Sequence, residues 1–313
     1  MSTLKIGTRG SPLALAQAGL IRSALEKARP DLVFELVTIK TTGDCLSAEE
    51  RTQNGPALKG LFVKEIEEAL LSGRVDLAVH SVKDMETALP PGLVLAAVPR
   101  REDPRDAVVT RTGESFKKLP AGSKVGVSSL RRTAQLKRIR QDLEYLPIRG
   151  NVDTRLKKLD AGEYDAIVVA GCGLVRLGLE ARISDWLDTA VCLPAVGQGA
   201  LGIEARSDRA DMKELLCGLD DPDTHAEVDA ERALLDALGG DCKIPVGGLA
   251  KVGGDNMVLE GVVLSPDGRK ALRQQVAGSR RAAKKLGIEL ASHLRAVGAD
   301  RLLFGRWSEK ANG

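Results

Sequence analysis

The sequence lacks most of the features that place a protein quickly. Its longest nearly apolar run, Ala166 to Val175, is ten residues with two glycines, well short of the ~20 that a membrane helix needs. The start, Met1 to Ser11, passes straight from Leu4-Lys5-Ile6 into a charged turn, without the apolar segment and cleavage site of a secretory signal. These absences predict no membrane span and a cytoplasmic location. Five cysteines, at 45, 172, 192, 217 and 242, are odd in number and form no CxxC pair, which argues against a disulfide framework and a zinc site. Three scattered histidines, at 80, 225 and 293, add no ligand cluster, so no metal is expected. The net charge is only +3, too small for a bulk binder of nucleic acid or membrane surfaces. Nucleotide motifs are missing too. There is no GxxxxGK[ST], and Gly171-Cys172-Gly173 continues as Leu-Val-Arg-Leu-Gly without the third glycine of GxGxxG. It reads as a tight turn after a strand, where backbone anion capture stays open.

What is present is an ordinary globular composition, 43% apolar and 28% charged over 313 residues, enough for about two domains or three small ones. Short β-branched runs alternate with helical patterns over the first two-thirds, the signature of an α/β fold with parallel sheets. Strands are expected at 4–7, 32–39, 75–80, 93–98, 107–110, 124–127, 143–148, 166–170 and 199–205. Phe62, Val63, Ile66, Ala69 and Leu70 share one helical face with Lys64, Glu65, Glu67 and Glu68 off it, which is a core signal. Breaks at 99–104 and 184–194, the second followed by Val196-Gly197-Gln198-Gly199-Ala200, suggest one lobe inserted into another. The expected division is domain 1 at 1–99 and 199–219, domain 2 at 104–194, and a small α+β domain 3 at 222–313. Cys172, Cys192 and Cys217 lie among apolar neighbours and are expected in the core.

Charge is local. Between Lys124 and Arg155 eight basic residues face three acidic ones. Ser128-Ser129-Leu130-Arg131-Arg132 and Arg149-Gly150-Asn151 each follow a strand and open a helix, as does Arg9-Gly10-Ser11-Pro12, with Ser11 as N-cap and Pro12 in the first turn. Arginine at such strand ends, beside free helix N–H groups, suits a small molecule with several carboxylates or phosphates. The expected site is a cleft between two lobes lined by Arg9, Arg131, Arg132, Arg149 and Arg155. Lys137, Arg138 and Arg140, further along a helix, read as a solvated face. The stretch Asp76 to Asp84 reads as a buried strand that ends in a base and an acid, Lys83-Asp84, where the carboxylate could stabilise positive charge or move a proton, or could form a surface pair or a cap. Cys242, in Gly239-Gly240-Asp241-Cys242-Lys243-Ile244-Pro245, sits in a glycine turn that would expose a thiol. A non-catalytic, two-lobed anion-binding or effector-sensing module remains the alternative, for which neither Asp84 nor Cys242 is needed.

Taken in order, Lys59-Gly60-Leu61-Phe62-Val63-Lys64-Glu65, Val79 to Asp84, Arg101-Glu102-Asp103-Pro104-Arg105-Asp106-Ala107, Ser128 to Arg132, Arg149-Gly150-Asn151-Val152, Leu193 to Ala200, and Glu231-Arg232 through Cys242-Lys243-Ile244-Pro245 resemble the porphobilinogen deaminase family. The resemblance runs from about residue 4 to the C-terminus. It implies two lobes similar to type II periplasmic binding proteins around a cleft, plus a small C-terminal domain. It implies a dipyrromethane cofactor held by a thioether at Cys242, onto which four porphobilinogens add head to tail with loss of ammonia before hydrolysis releases hydroxymethylbilane. Asp84 matches the catalytic aspartate, placed to stabilise the azafulvene cation left by ammonia. Lys83, Asp44, Ser129, Arg131, Arg132 and Gln198 match cofactor-binding positions; Arg9, Ser11, Arg149, Arg155, Arg176, Lys59 and Phe62 match substrate-binding ones. The family also implies a monomer that passes its product to uroporphyrinogen III synthase. Polar residues 41–59 suggest a mobile loop over the cleft. Asp241 and Glu86 depart from the pattern; a carboxylate at Asp241 should raise the neighbouring thiol's pKa, with Lys243 opposing it.

Overall fold

The computed structural model describes residues 3–42, 63–239 and 244–304. Within them the strands are β1 (Thr3–Thr8), β2 (Val33–Thr38), β3 (Leu77–Ser81), β4 (Leu93–Ala97), β5 (Asp106–Thr110), β6 (Lys124–Val127), β7 (Glu144–Pro147), β8 (Ala166–Ala170), β9 (Asp185–Trp186), β10 (Leu201–Arg206), β11 (Val246–Gly253), β12 (Asn256–Leu264) and β13 (Ala271–Ser279). The class is α/β, with two sheet-bearing lobes and a small C-terminal unit of three strands and helices. The first sheet runs β2-β1-β3-β10-β4 and the second β7-β6-β8-β5-β9. In each, four strands run in one direction and one antiparallel strand is slotted next to the far edge: β10 between β3 and β4, β5 between β8 and β9. β10 joins the first sheet after the whole second sheet has been laid down. The third sheet is the antiparallel meander β11-β12-β13, covered by the helices Pro222–Ala237 and Ala283–Ala296 through Leu234, Leu286, Leu290 and Leu294.

Local chemistry explains the elements that carry the cleft. β3 and β8 are buried along nearly their whole length, as parallel strands covered on both faces should be. The helix Pro12–Ala28 starts where Ser11 Oγ accepts from Ala14 N (3.3 Å) with Pro12 in its first turn. The helix Val152–Asp160 starts where Asn151 Oδ1 accepts from Thr154 N (2.9 Å), so both strand-to-helix turns close with a side-chain cap. Gly199 is obligatory at the return to the first sheet: its φ is +92°, and a Cβ would stand 2.5 Å from the Glu102 carbonyl oxygen.

Four expectations change. Gly171-Cys172-Gly173 is not a tight turn but the start of the short helix Gly171–Arg176, where a Cβ on Gly171 would overlap the Trp186 ring. Glu67, expected off the apolar face of the helix Lys64–Leu71, is buried, because that helix is covered on more than one side. Cys172 and Cys192 are buried, but Cys217 is exposed; it caps the helix Ala210–Leu216 at a turn where Leu216 takes the core position. Arg138 and Arg140 do more than face solvent. Arg138 donates to the carbonyls of Gly268 and Arg269, and Arg140 to those of Phe116, Lys117 and Leu119.

Candidate active site

The carboxyl ends of β1, β3, β6, β7 and β8 converge on a cleft of about 1000 Å³. Its wall brings together Arg9, Ser11, Lys83, Asp84, Arg132, Arg149, Arg155 and Arg176, each expected at the site, with Gln17, Ser128, Asn151, Thr154, Lys158 and Cys172, which sequence reasoning did not single out as site residues. Among the described residues, seven basic side chains (Arg9, Lys83, Arg132, Arg149, Arg155, Lys158, Arg176) face one acid, Asp84. The first lobe supplies Arg9, Lys83 and the acid from the ends of β1 and β3. The second supplies the other five cations.

Several of these cations are held under tension. Burial pushes the Lys83 ammonium below its ordinary value, with Asp84 opposing. Burial, then the charge of Arg132, lowers Arg155 to about 10, again against Asp84. Burial lowers Arg176 as well; its Nη2 donates to the Gly199 carbonyl (2.6 Å), while its buried Nε has no hydrogen-bond partner among the described residues. Arg155 Nε donates to the Gly150 carbonyl (2.8 Å), which fixes its direction. Cations whose charge is penalised by burial gain most from an anionic ligand, since its arrival removes the penalty. The wall therefore suits a molecule with several anionic groups, and among the described lining residues Asp84 is the one able to meet positive charge.

Beneath the wall lies a second layer. Asp106, fully buried at the start of β5, accepts from Arg131 Nη1 (2.7 Å), Arg132 Nε (2.9 Å) and Gln198 Nε2 (2.8 Å). Burial alone would push its carboxyl up, but the charges of Arg131 and Arg132 outweigh this and hold it well below the usual carboxylate range. Arg131 also donates to the Leu193 carbonyl (2.7 Å). Arg131 and Gln198 thus sit in this network and are not among the residues lining the cleft; Ser129 is half-buried and also off the lining. Arg132 belongs to both layers. Cys192 lies against the same carboxylate, and burial pushes its thiol up to about 12. Asp106 was quoted in a motif but not as a site residue, since a lone acid opening an apolar strand gives no sign of partners 25 and 92 positions away. Asp44, Lys59, Phe62 and Cys242, and the 41–59 loop from residue 43 onward, lie outside the described residues. Among the described residues no group of three or more His, Cys, Asp or Glu could hold a metal ion, and no helix is long and apolar enough to cross a membrane.

Comparison with known proteins gives a consistent picture. The family model described as "Porphobilinogen deaminase, dipyromethane cofactor binding domain" matches residues 4–214, and "Porphobilinogen deaminase, C-terminal domain" matches 225–296. The chain is 49% identical over 300 residues to the porphobilinogen deaminase of Syntrophobacter fumaroxidans, covering 96% of each chain. It is 50% identical over 304 residues to that of Roseiflexus castenholzii, covering 97% of this chain and 99% of the other. Among solved structures it is similar to the methionine-binding protein MetQ, with a TM-score of 0.43 and 14% identity over 71% of this chain and 92% of that one.

Proposed function

The chain belongs to the porphobilinogen deaminase family, and from that premise we propose how its own residues carry the family's reaction. It is a transferase of tetrapyrrole biosynthesis that acts on porphobilinogen and has a dipyrromethane cofactor-binding domain, which sets aside the non-catalytic alternative. Four porphobilinogens join head to tail with loss of ammonia, and hydrolysis releases hydroxymethylbilane. The cleft suits such a chain: each pyrrole carries an acetate and a propionate, and seven cations line about 1000 Å³. The cofactor supplies the pyrrole carbon from which the product grows. Cys242 holds it as a thioether, and Lys83, Asp44, Ser129, Arg131, Arg132 and Gln198 bind or brace it. Arg131 and Gln198 brace Arg132 through Asp106. Arg9, Ser11, Arg149, Arg155, Arg176, Lys59 and Phe62 bind substrate.

The observation that carries this reading is Asp84, the single acid among the described residues of a cationic wall. When the C–N bond of porphobilinogen's protonated aminomethyl group breaks, the electron pair leaves with nitrogen as neutral ammonia, and the remaining pyrrole is cationic. Asp84 stabilises that cation while the arginines hold its carboxylates. Division into 1–99 with 199–219, 104–194 and 222–313 is supported by the membership of the three sheets. The enzyme acts as a cytoplasmic monomer and hands its linear product to uroporphyrinogen III synthase, a reading that rests on the family.

Asp84→Ala in the loaded enzyme should keep the cofactor and lower turnover by roughly a hundredfold or more; turnover within about tenfold of the parent would reject Asp84. Denaturing mass spectrometry with peptide mapping should find two linked pyrroles on the Cys242 peptide. The same adduct on another cysteine would move the attachment.

A further inference from the structure

The chain crosses from the first sheet to the second between Ala97 and Asp106 and returns between Trp186 and Leu201. Both crossings meet on one carboxylate of the C-terminal unit. Glu231, in the helix Pro222–Ala237, is fully buried. Its Oε1 accepts from Arg101 Nη1 (2.6 Å) and Ala250 N (2.9 Å), and its Oε2 from Arg101 Nη2 (2.9 Å) and Gly197 N (2.6 Å). Each oxygen thus takes one guanidinium N–H and one backbone N–H, an arrangement that offsets the cost of burying the charge. The Arg101 side chain is 7% exposed. Burial would lower its guanidinium, but the charges of Glu231 and Glu227 outweigh this and hold it above its ordinary value.

Arg101 also reaches along the returning segment, where its Nε donates to the Gln198 carbonyl (2.8 Å). The next two carbonyls lead into the two halves of the site. Gly199 O accepts from Arg176 Nη2 of the second lobe (2.6 Å), and Ala200 O accepts from Val82 N of the first (3.1 Å), two residues before Asp84. Gly199 and Ala200 themselves line the cleft. The segment is tightly seated: a Cβ on Gly197 would stand 2.5 Å from Val82 Cγ1 and 3.1 Å from Lys83 N. Gly197 to Ala200 therefore tie a carboxylate of the C-terminal unit to Arg176 on one side and to the turn bearing Asp84 on the other. The mechanism described above makes no use of Glu231 or Arg101.

We propose that Glu231, by gripping Arg101 and Gly197, is a positioning residue that sets the spacing between Arg176 and Asp84 across the cleft. The proposal rests on reading Asp84 as the catalytic acid and Arg176 as a substrate-binding residue. Arg176 holds an anionic group of the substrate while Asp84 meets the positive charge left by ammonia, so both must address one molecule at once. Glu231 acts on them through Gly199 and Ala200 and does not touch substrate. Loosening the segment misaligns the two groups: binding weakens at Arg176 and the chemical step slows at Asp84.

The test is a double-mutant cycle on cofactor-loaded enzyme with porphobilinogen, comparing the parent, Glu231→Gln, Arg176→Lys and the double variant. Loading is read by denaturing mass spectrometry, and the urea midpoint records the loss of stability separately from kcat and KM. Glu231→Gln keeps the shape and removes the charge; per loaded, folded enzyme it should lower kcat/KM by roughly tenfold or more, with KM raised as well as kcat lowered. Arg176→Lys keeps a cation and removes the guanidinium that bonds Gly199. In that background the KM effect of Glu231→Gln should shrink to within about twofold, because the two residues act through one contact. Parental kcat and KM in Glu231→Gln, or KM factors that simply multiply in the double variant, overturn the positioning role and leave Arg176 at the substrate. An Arg176→Lys enzyme with parental KM removes Arg176 from substrate binding, and the positioning role with it. If Glu231→Gln fails to fold or load, Arg101→Lys takes its place in the same cycle with the same expected coupling, since lysine keeps the ion pair and loses the fork that reaches both Glu231 oxygens and the Gln198 carbonyl.

Discussion

The two lobes place the same kind of strand in the same slot and use it in opposite ways. β5 and β10 are each antiparallel and one place in from the sheet edge, and each carries a fully buried carboxylate, Asp106 or Glu204. Asp106 accepts hydrogen bonds from two arginines and a glutamine. Glu204 accepts none among the described residues and leans on one histidine. The difference teaches what each lobe is for. In the second lobe a fixed charge locks Arg132 at the cleft wall. In the first lobe the buried carboxylate is left without donors among the described residues, on the strand beside the one that leads to Asp84.

The comparison breaks most visibly at Asp106. Asp106→Asn leaves Arg131 and Arg132 buried without their counter-charge and should cost about 3–5 kcal/mol, read as a shift in the urea midpoint, together with loss of turnover. Glu204→Gln removes a charge that accepts no hydrogen bond and should cost less than about 2 kcal/mol. Equal losses in the two variants would erase the contrast. A smaller effect separates the lobes by pH. Unfolded, Glu67 releases its proton near its ordinary 4.5, and folded it holds it to about 7. The folded chain binds more protons in that window, so this group makes stability fall as pH rises. Glu67→Gln should therefore gain stability relative to the parent between about pH 5 and pH 8. Asp106 has the opposite sign: its contribution is full above its ordinary 3.8 and is lost only as pH drops toward its depressed folded value. Thermal melts across pH would sink the assignment if Glu67→Gln tracked the parent throughout. The smallest expected effect concerns the helices after β1 and β6. Ser11→Ala removes a cap bond and should cost about 1 kcal/mol, whereas Ser129→Ala should be nearly silent, because Ser129 makes no side-chain cap.

Much of the scaffold was legible in the sequence for local reasons. Lys124–Val127 and Ala166–Ala170 match their expected bounds, since continuous β-branched runs between turns have few other ways to bury themselves. β9 escaped notice because two residues, Asp185 and Trp186, give no period to read. The cleft arginines were legible because a strand end followed by a helix cap is itself a local pattern. The layer below was not. Glu67 looked like surface beside Lys64 and Glu68, and its burial depends on what packs over the helix. Glu204, inside the strand expected at 199–205, was not singled out, and its partner His80 is more than a hundred positions away. Cys217 was read from its neighbours in sequence, but a helix cap turned it to solvent. Pairings of distant residues decide buried charge, and one sequence does not display them.

The slot that β10 fills also fixes an order of events. Every strand of the second sheet lies between Asp106 and Trp186, while the first sheet waits for Leu201–Arg206 to pair Gly202 with His80. As the chain leaves the ribosome, the second lobe can close on itself while β3 and β4 still await the strand that joins them. Closing that long loop is entropically slow, and open strand edges invite mispairing in the interval. Within the first lobe the latest pairing to form is thus the one beside His80, so damage to β10 should show first as poor yield of folded protein during synthesis.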